Sequence, residues 1–299
     1  MKKIVILFTV VLLIASCKNQ ADRAIVIQTD FGLKDGAVAE MKGIAKKVDY
    51  ELQIFDLTHE IPAYNIWEAA YRLNQVVPYW PQGTVFVSVV DPGVGTARKS
   101  VVVLTKTGQY IVTPDNGTLT LVAQTQGIIS VREINEKLNR REGSDSSYTF
   151  HGRDVYMYTA AKLASGKISF EQVGPEFKQS IVSLAYQPAA LQAGYLKGNI
   201  PVLDIQYGNV WTNIPDLLIK KAGIRSGDSL DIRIAFKDSL VRSERVVFAN
   251  SFGDVAEGKP LAYINSLMNF SLAINQGSYA AMYGISNGPG WNIQISKTK

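Results

Sequence analysis

An acidic residue and a nearby arginine form the first chemically informative pattern in the chain. Asp91 follows the apolar run TVFVSVV (84–90), and the turn PGVG leads from it to Arg98. Leaving either charge alone in a buried place costs roughly several kcal/mol, so we expect the carboxylate and the guanidinium to be paired. Such a pair either fixes a loop or belongs to a functional site. A second unusual stretch, TFHGRD (149–154), contains His151, one of two histidines, and it favours the functional interpretation.

The segments that must position these side chains alternate between strand-like and helix-like patterns. The strand AIVIQT ends at Asp30, and a helix-like stretch follows over residues 35–48. A strand, an acidic residue with a glycine, and then a helix is the geometry of a ligand site at the carboxyl edge of an α/β sheet. Further strands are predicted over 51–58, 84–90 and the run SVVVLT, and further helices over 65–77 and 154–164. The alternation predicts an N-terminal α/β domain, residues 24–188, with a largely parallel, mixed sheet.

Beyond residue 190 the apolar pattern changes to a period of two. Runs such as IPVLDIQ, DSLDIRIAF and RVVFANSF are separated by turn residues, and residues 187–194 form a candidate linker. Short strands of this kind suggest a small barrel or a sandwich. We therefore predict a smaller, β-barrel-like C-terminal domain over residues 195–299.

Composition argues against several classes of protein. The chain has 299 residues, of which 46% are hydrophobic and 19% charged, so we expect a folded protein long enough for two domains. The net charge of +5 comes without a cluster of Lys and Arg interleaved with aromatic residues, which argues against nucleic-acid binding. With two histidines, one cysteine and no HExxH or EF-hand pattern, the sequence predicts no metal site.

The N-terminus has the pattern of an export signal. A basic start, MKK, precedes an apolar run over residues 4–14 that is too short to span a bilayer comfortably. The order IASC ends at Cys17, the single cysteine, and resembles a bacterial lipobox, in which the cysteine becomes the acylated mature N-terminus. An ordinary secretory signal with an incidental cysteine is the alternative. We predict a signal peptide over residues 1–17 with lipidation at Cys17. The expected product is an exported bacterial lipoprotein that faces the periplasm or the cell surface and meets the membrane only through this anchor.

Several short motifs together resemble one family, the S-adenosylmethionine hydroxide adenosyltransferases, which are related to the fluorinase and the chlorinase. The resemblance covers residues 25–296. Its motifs are TDFG (29–32), DLTHEIP (56–62), DPGVG with its following arginine (91–98), PDNG (114–117), TFHGRD (149–154), DxxYGNxxTNI (204–214) and YINS (263–266). Each motif is weak alone, and their common order makes the resemblance specific.

The resemblance implies an α/β domain followed by a smaller β domain. It also implies a homotrimer whose substrate lies between the first domain of one subunit and the second domain of its neighbour. The implied reaction is attack of water-derived hydroxide on C5′ of S-adenosylmethionine, which gives adenosine and L-methionine. The sulfonium departs as a neutral thioether, so a general acid, a metal and a cofactor are not required. A water must be held in line with the C5′–S bond and made nucleophilic.

The same resemblance implies roles for individual residues. Asp91, Arg98 and His151 match the family's catalytic triad, and which of the three takes the proton stays open. The residues that match substrate contacts are Asp30 for the ribose hydroxyls, Asp204 for the methionine ammonium, Asn209 for adenine, Tyr207 and Trp211 for the purine faces, and Ser266 for the methionine carboxylate. Core packing is the alternative for the two aromatic residues, and capping is the alternative for the strand-end aspartate. A loop-supporting role is favoured over a catalytic one for His59.

Two other functions stay open. The halogenases of this group, as the resemblance has it, carry an extra loop after the strand at residues 84–90 and bind halide with a serine in the stretch TFHGRD. This chain has no such insertion and has Gly152 at the serine position. A carboxylate at Asp91 would also repel a halide ion, so water is favoured over halide as the nucleophile. A lipoprotein that binds nucleosides or S-adenosylmethionine without turnover is the non-enzymatic alternative.

Overall fold

The computed structural model describes residues 24–298, and the predicted signal peptide with Cys17 lies outside them. The first sheet, sheet 1, consists of β1 (Ile25–Thr29), β2 (Ile54–Thr58), β3 (Val85–Val89), β4 (Ser100–Thr105), β5 (Tyr110–Pro114) and β6 (Ile128–Glu133). Its strand order is β2-β1-β3-β5-β4-β6. The first four strands in this order are parallel, and β4 is antiparallel to both of its neighbours. The predicted mixed α/β sheet is confirmed.

Helices cover both faces of sheet 1. They are α1 (Ala37–Val48), α2 (Ile66–Val76), α3 (Thr120–Thr125), α4 (Glu136–Asn139) and α5 (Tyr158–Ala164), the last of which directly follows a π-helical turn (Gly152–Met157). The π-helical turn, α1 and α5 pack on one face of the sheet, and α2 with α3 packs on the other. All residues of β1 and β3 are therefore buried, which explains why these strands are continuous apolar runs without alternation.

The second sheet, sheet 2, is mostly antiparallel. Its elements are β7 (Ala190–Gln192), β8 (Tyr195–Asn199), β9 (Val202–Asp204), β10 (Asn209–Pro215), β11 (Ser229–Phe236), β12 (Ser239–Phe248), β13 (Pro260–Ile264), β14 (Asn269–Ile274) and β15 (Trp291–Lys297), with helices α6 (Asp216–Lys221) and α7 (Tyr279–Tyr283). The strand order is β7-β8-β15-β11-β12-β13-β14-β10-β9, with one parallel pair, β12 and β13. The two end strands, β7 and β9, are not paired with each other, so the barrel-like arrangement is not confirmed.

The two sheets pack against each other through aromatic side chains of α2. The indole Nε1 of Trp67 donates to the carbonyl of Pro201 at 2.9 Å, and Trp67 and Tyr71 form a buried cluster with Val202. The segment that leads to sheet 2 is held by the PDNG motif, where the Asp115 carboxylate accepts a hydrogen bond from the backbone N–H of Val182 at 2.9 Å. Within residues 24–298, no helix has the length and apolarity needed to cross a bilayer.

Candidate active site

Asp91 and Arg98 form a buried ion pair at the carboxyl edge of sheet 1. Arg98 Nε donates to Asp91 Oδ1 at 2.8 Å, and Arg98 Nη2 contacts the second carboxylate oxygen. The remaining nitrogen, Nη1, donates to Ser100 Oγ at 2.8 Å. The turn between the two charges depends on Gly95, whose φ is +75° and where a Cβ would approach the carbonyl oxygen of Tyr148 to 3.0 Å. The guanidinium is therefore fixed in the plane of the carboxylate, as a bidentate pair requires.

His151 lies between two guanidinium groups. Arg98 Nη2 is 3.0 Å from its Nδ1, and Arg140 Nη2 is 3.1 Å from its Nε2. A neutral imidazole offers one acceptor nitrogen and a doubly protonated one offers none, so only one of these contacts is a hydrogen bond. An imidazolium would point both of its N–H groups at cationic donors.

The surroundings of His151 hold it in the neutral form. Burial lowers the pKa of His151 below its ordinary value. Glu136, which is paired with Arg140, raises this pKa, whereas the two neighbouring guanidinium groups lower it and Asp91 makes a smaller opposing contribution. The net direction is downward, so the ring is an uncharged acceptor near neutral pH.

A buried tyrosine completes the polar cluster. Tyr156 OH lies 3.3 Å from Asp91 Oδ2 and 3.3 Å from Ser100 Oγ. Burial raises the pKa of Tyr156 far above its ordinary value, so the phenol keeps its proton and can donate to the carboxylate. The π-helical turn that carries this tyrosine approaches β3 closely at Gly152, where a Cβ would lie 3.3 Å from Phe31 and Val89.

Asp30 shares a cavity with Asp91 and His151. The cavity has a volume of about 250 Å³, and its wall includes Asp30, Asp91, His151 and Tyr64. Asp30 Oδ2 accepts a hydrogen bond from the backbone N–H of Tyr64 at 2.9 Å. Tyr64 has a φ of +68°, and its side chain is 73% exposed at the mouth of this cavity. Thus Asp30 fixes the loop that follows it and still faces the open space beside Asp91.

His59 braces the strands behind this cavity. Its Nδ1 lies 2.8 Å from Thr29 Oγ1 and its Nε2 lies 3.0 Å from Asp56 Oδ1, so both nitrogens are engaged by neighbouring strand residues. The ring is buried and is not part of the cavity wall. This geometry supports the loop-supporting interpretation over a catalytic one.

The other predicted contact residues surround a second cavity, on sheet 2. Its volume is about 700 Å³, and its wall includes Asp204, Tyr207, Asn209, Trp211 and Ser266. Asn209 Nδ2 donates to Asp204 Oδ2 at 3.3 Å. Tyr207 is 67% exposed, so it does not pack in a core, whereas Trp211 contacts the buried cluster between the sheets.

The turn before Asn209 depends on a glycine. Gly208 has a φ of +69°, and a Cβ there would come within 1.9 Å of Ser278 Oγ. The sequence YGN therefore places an exposed aromatic ring and a buried amide on either side of a position that only glycine can fill.

Within the described residues of one chain, the two sets of predicted contacts line different cavities. The structure brings Asp30 together with Asp91, Arg98 and His151 on sheet 1, and it brings the remaining five together on sheet 2. An exposed aromatic side chain lies on the wall of each cavity, Tyr64 on the first and Tyr207 on the second, at 73% and 67%.

Sequence reasoning missed several residues of the cluster. Arg140 and Glu136 lie in a charged stretch whose pattern is typical of a loop or short helix, and their only local signal is an i,i+4 ion-pair spacing. Ser100 and Tyr156 have no signal beyond belonging to apolar segments. Within residues 24–298, three or more His, Cys, Asp or Glu side chains nowhere come together as a metal ion would require.

These features define an α/β protein with a second, mostly antiparallel sheet and a ligand-sized cavity on each sheet. The chain belongs to the S-adenosylmethionine hydroxide adenosyltransferase family. Residues 25–174 match the N-terminal domain of this family, and residues 198–292 match its C-terminal domain. The resemblance drawn from the motifs is confirmed.

Individual relatives include both hydrolases and fluorinases. The chain is 34% identical to an (R)-S-adenosyl-L-methionine hydrolase of Thermus thermophilus, over 89% of this chain and 97% of that protein. It is 34% identical to a hydrolase of the same name from Methanocaldococcus jannaschii, over 76% and 80% of the two chains. A fluorinase of Actinopolyspora mzabensis is 28% identical over 88% and 94%. The crystal structure of an uncharacterized conserved protein from Thermotoga maritima superimposes with a TM-score of 0.82 at 33% identity, over 91% and 99% of the chains.

Proposed function

We propose that this chain hydrolyses S-adenosylmethionine to adenosine and L-methionine. The oxygen of a water molecule forms a bond to C5′, the C5′–S bond breaks, and its electron pair returns to sulfur, which leaves as a neutral thioether. The observation that carries the proposal is the buried Asp91–Arg98 pair with His151, which opens onto the cavity that also contains Asp30. Relatives named as S-adenosyl-L-methionine hydrolases, aligned over most of the chain, support it.

In this proposal Asp91 takes the proton. His151 is a poor proton acceptor, because an imidazolium would point its two N–H groups at guanidinium groups 3.0 and 3.1 Å away. The attacking oxygen becomes strongly acidic as its bond to C5′ forms, so a carboxylate is basic enough to receive the proton. Arg98 holds the carboxylate in place, and neutral His151 orients the water. Substrate binding adds a sulfonium cation to the cavity, and Asp91 supplies the compensating negative charge.

Replacing Arg140 with methionine should shift the acid limb of the pH–rate profile to higher pH. The change removes a guanidinium that lowers the pKa of His151 and frees Glu136, which raises it. The imidazolium then forms at a higher pH, where it repels the sulfonium and no longer accepts a hydrogen bond. The same shift should appear in an NMR titration of His151, and the chain has only two histidines to assign. Arg140→Lys keeps the positive charge and should restore most of the profile. An unchanged profile and titration in the methionine variant would remove His151 from this account.

We propose that the substrate lies between two copies of the chain in a homotrimer. Asp30 then binds the ribose hydroxyls on sheet 1, and the partner's sheet 2 supplies the remaining contacts. Those contacts are Asp204 with the methionine ammonium, Asn209 with adenine, Tyr207 and Trp211 with the purine faces, and Ser266 with the methionine carboxylate. Support comes from the two separate cavities and from the exposed tyrosine on the wall of each, Tyr64 on the first and Tyr207 on the second. Such a head-to-tail contact closes a ring when it repeats around a threefold axis.

The cellular location and the domain boundaries are also proposals. The N-terminal signal pattern supports an exported lipoprotein, acylated at Cys17, with an α/β domain over 24–188 and a β domain, of barrel-like form, over 195–299. No metal or cofactor takes part in the proposed reaction, because a departing thioether needs neither protonation nor a Lewis acid. In this proposal the protein is tethered to a membrane, and its active site is accessible to solutes outside the cytoplasm.

Product analysis of the purified protein tests this function against its alternatives. Incubation with S-adenosylmethionine and a chelator should release adenosine and methionine in equal amounts. Binding of S-adenosylmethionine without either product would indicate a binding protein. Addition of chloride or fluoride should yield no 5′-halo-5′-deoxyadenosine, because Asp91 repels halide and Gly152 has no hydroxyl to offer. A Cβ at this position would lie only 3.3 Å from Phe31 and Val89. Detection of the halogenated nucleoside would favour the activity named for the fluorinase relatives.

A further inference from the structure

Another cavity, beside the helices that cover sheet 1, is lined by cationic side chains. It has a volume of about 370 Å³ and lies between the end of α1 and α5, and its wall consists of Ile44, Lys47, Val48, Arg141, Tyr158, Lys162 and Lys167. No carboxylate is among these residues. We call it the basic cavity.

The cations of the basic cavity retain unused hydrogen-bond donors. Lys162 Nζ donates to the Leu138 carbonyl at 3.0 Å and to Asn139 Oδ1 at 2.8 Å, which leaves one ammonium proton. Arg141 uses its Nε to bind the buried Asp154 at 2.6 Å and its Nη1 to bind the Glu142 carbonyl at 3.2 Å, which leaves its Nη2. Burial lowers the pKa of Lys162, so a bound anion would restore part of the stabilisation that its ammonium loses. The arrangement suits a ligand with several negatively charged oxygens, such as a phosphate group.

One end of the basic cavity lies near the edge of sheet 1 opposite the candidate active site. Lys47 and Val48 end α1 there, and Lys167 Nζ donates to the Val48 carbonyl. The other end reaches Arg141, which binds Asp154. Ala24, the first described residue, accepts a hydrogen bond from the N–H of Val85 at the start of β3. Lys46 Nζ joins the end of α1 to the carbonyl of Leu52, just before β2, at 2.8 Å. Asp30 and Asp91 follow the other ends of β1 and β3, about 17 Å from the starts of these strands.

A membrane anchor at Cys17 would hold this same edge close to lipid. The chain between Cys17 and Ala24 spans at most about 25 Å even when fully extended. The edge also presents Tyr50, which is 76% exposed and has Lys46 Nζ 5.2 Å from its ring centroid. Tyrosine and lysine side chains of this kind are favoured where a protein meets lipid headgroups. The acidic residues of this turn, Asp49 and Glu51, do not line the basic cavity.

We propose that the basic cavity binds the phosphate groups of anionic lipid headgroups and holds this edge of sheet 1 against the membrane. The membrane anchor proposed above brings the cavity close to the phosphate groups of lipids. The proposal rests on that anchor and does not depend on the hydrolysis reaction. It orients the candidate active site away from the bilayer, towards soluble substrate. The four cations of the cavity attract an anionic lipid surface, and this attraction weakens as the salt concentration rises.

Vesicle binding by the mature chain with Cys17→Ser, which cannot be acylated, tests the proposal. The protein should sediment with vesicles of phosphatidylglycerol and phosphatidylcholine and stay in solution with phosphatidylcholine alone. The double variant Lys47→Glu, Lys167→Glu should bind the anionic vesicles at least about tenfold more weakly. The matched control Lys237→Glu, Lys259→Glu changes the net charge equally at exposed positions of sheet 2 and should bind like the parent.

Three results would overturn the proposal. The first is equal binding to both vesicle types, and the second is an equal loss in the control variant, which would indicate general charge attraction. The third is calorimetric binding of inorganic phosphate that depends on the two lysines without any vesicle binding, which would indicate a site for soluble phosphate. Far-ultraviolet circular dichroism of each variant establishes that it is folded, so that a loss of binding can be attributed to the replaced lysines. None of these readouts uses S-adenosylmethionine, so failure here leaves the proposed hydrolysis untouched.

Discussion

Replacing Asp91 with asparagine should lower turnover of S-adenosylmethionine about a thousandfold while changing its affinity only a few-fold. Asparagine has the size of aspartate and keeps one oxygen to accept from Arg98 Nε. It cannot take a proton from the attacking water, and its amide N–H₂ group would face the donor Nη2. The few-fold loss of affinity comes from losing the negative charge that compensates the sulfonium of the bound substrate. The effect falls mainly on the chemical step, because the substrate contacts proposed for Asp30 and for sheet 2 remain.

Single-turnover rates and equilibrium binding, measured separately, check this expectation. Removing one member of a buried ion pair also destabilises the fold by about 3–5 kcal/mol, so urea unfolding must show that the variant is folded at the assay temperature. Asp231→Asn is the matched control, since Asp231 pairs with Arg245 on the exposed surface of sheet 2. The control should retain parental rates. Equal losses of rate and affinity in Asp91→Asn would mean that Asp91 is structural.

A mixture of two inactive variants should recover about one quarter of the parental activity after joint refolding. Asp91→Asn damages the half-site on sheet 1, and Asp204→Asn damages the half-site on sheet 2. If each site combines sheet 1 of one subunit with sheet 2 of the next, random trimers from equal amounts contain one intact pairing in every four. If each site lies within one chain, every site carries one damaged half and activity stays at the level of the single variants.

The control for this experiment mixes Asp91→Asn with His151→Gln. Both changes lie in the half-site on sheet 1, so no combination of subunits produces an intact site and no activity should return. Recovery in this control would mean that the two side chains do not act in the same half-site. Parental protein carried through the same refolding gives the reference activity, and assays at substrate concentrations below KM keep the Asp204→Asn defect visible.

The sequence predicted best where the chemistry depended on short separations along the chain. Asp91 and Arg98 are joined by one tight turn, so their pairing followed from the cost of burying either charge alone. Asp30 follows a strand whose residues are all buried, and the position of a strand end is a local property. The continuous apolar runs of β1 and β3 signalled burial on both faces, which a parallel central strand requires.

The remaining features depend on packing between distant segments. Arg140 reaches His151 only because α4 lies beside the π-helical turn, and neither element has a pattern that predicts this neighbour. Period-two alternation indicated the strands of sheet 2 and did not determine their order, in which β15 lies between β8 and β11. The placement of the predicted contacts on two sheets was implied by the family resemblance, and the chemistry of the individual motifs does not predict it.

Mass spectrometry of the adenosine formed in water enriched in oxygen-18 identifies the nucleophile. Attack of water at C5′ predicts one atom of label in the 5′-hydroxyl and none in the methionine. Adenosine without label would contradict the account, because its 5′-oxygen would then come from a source other than the water held beside Asp91.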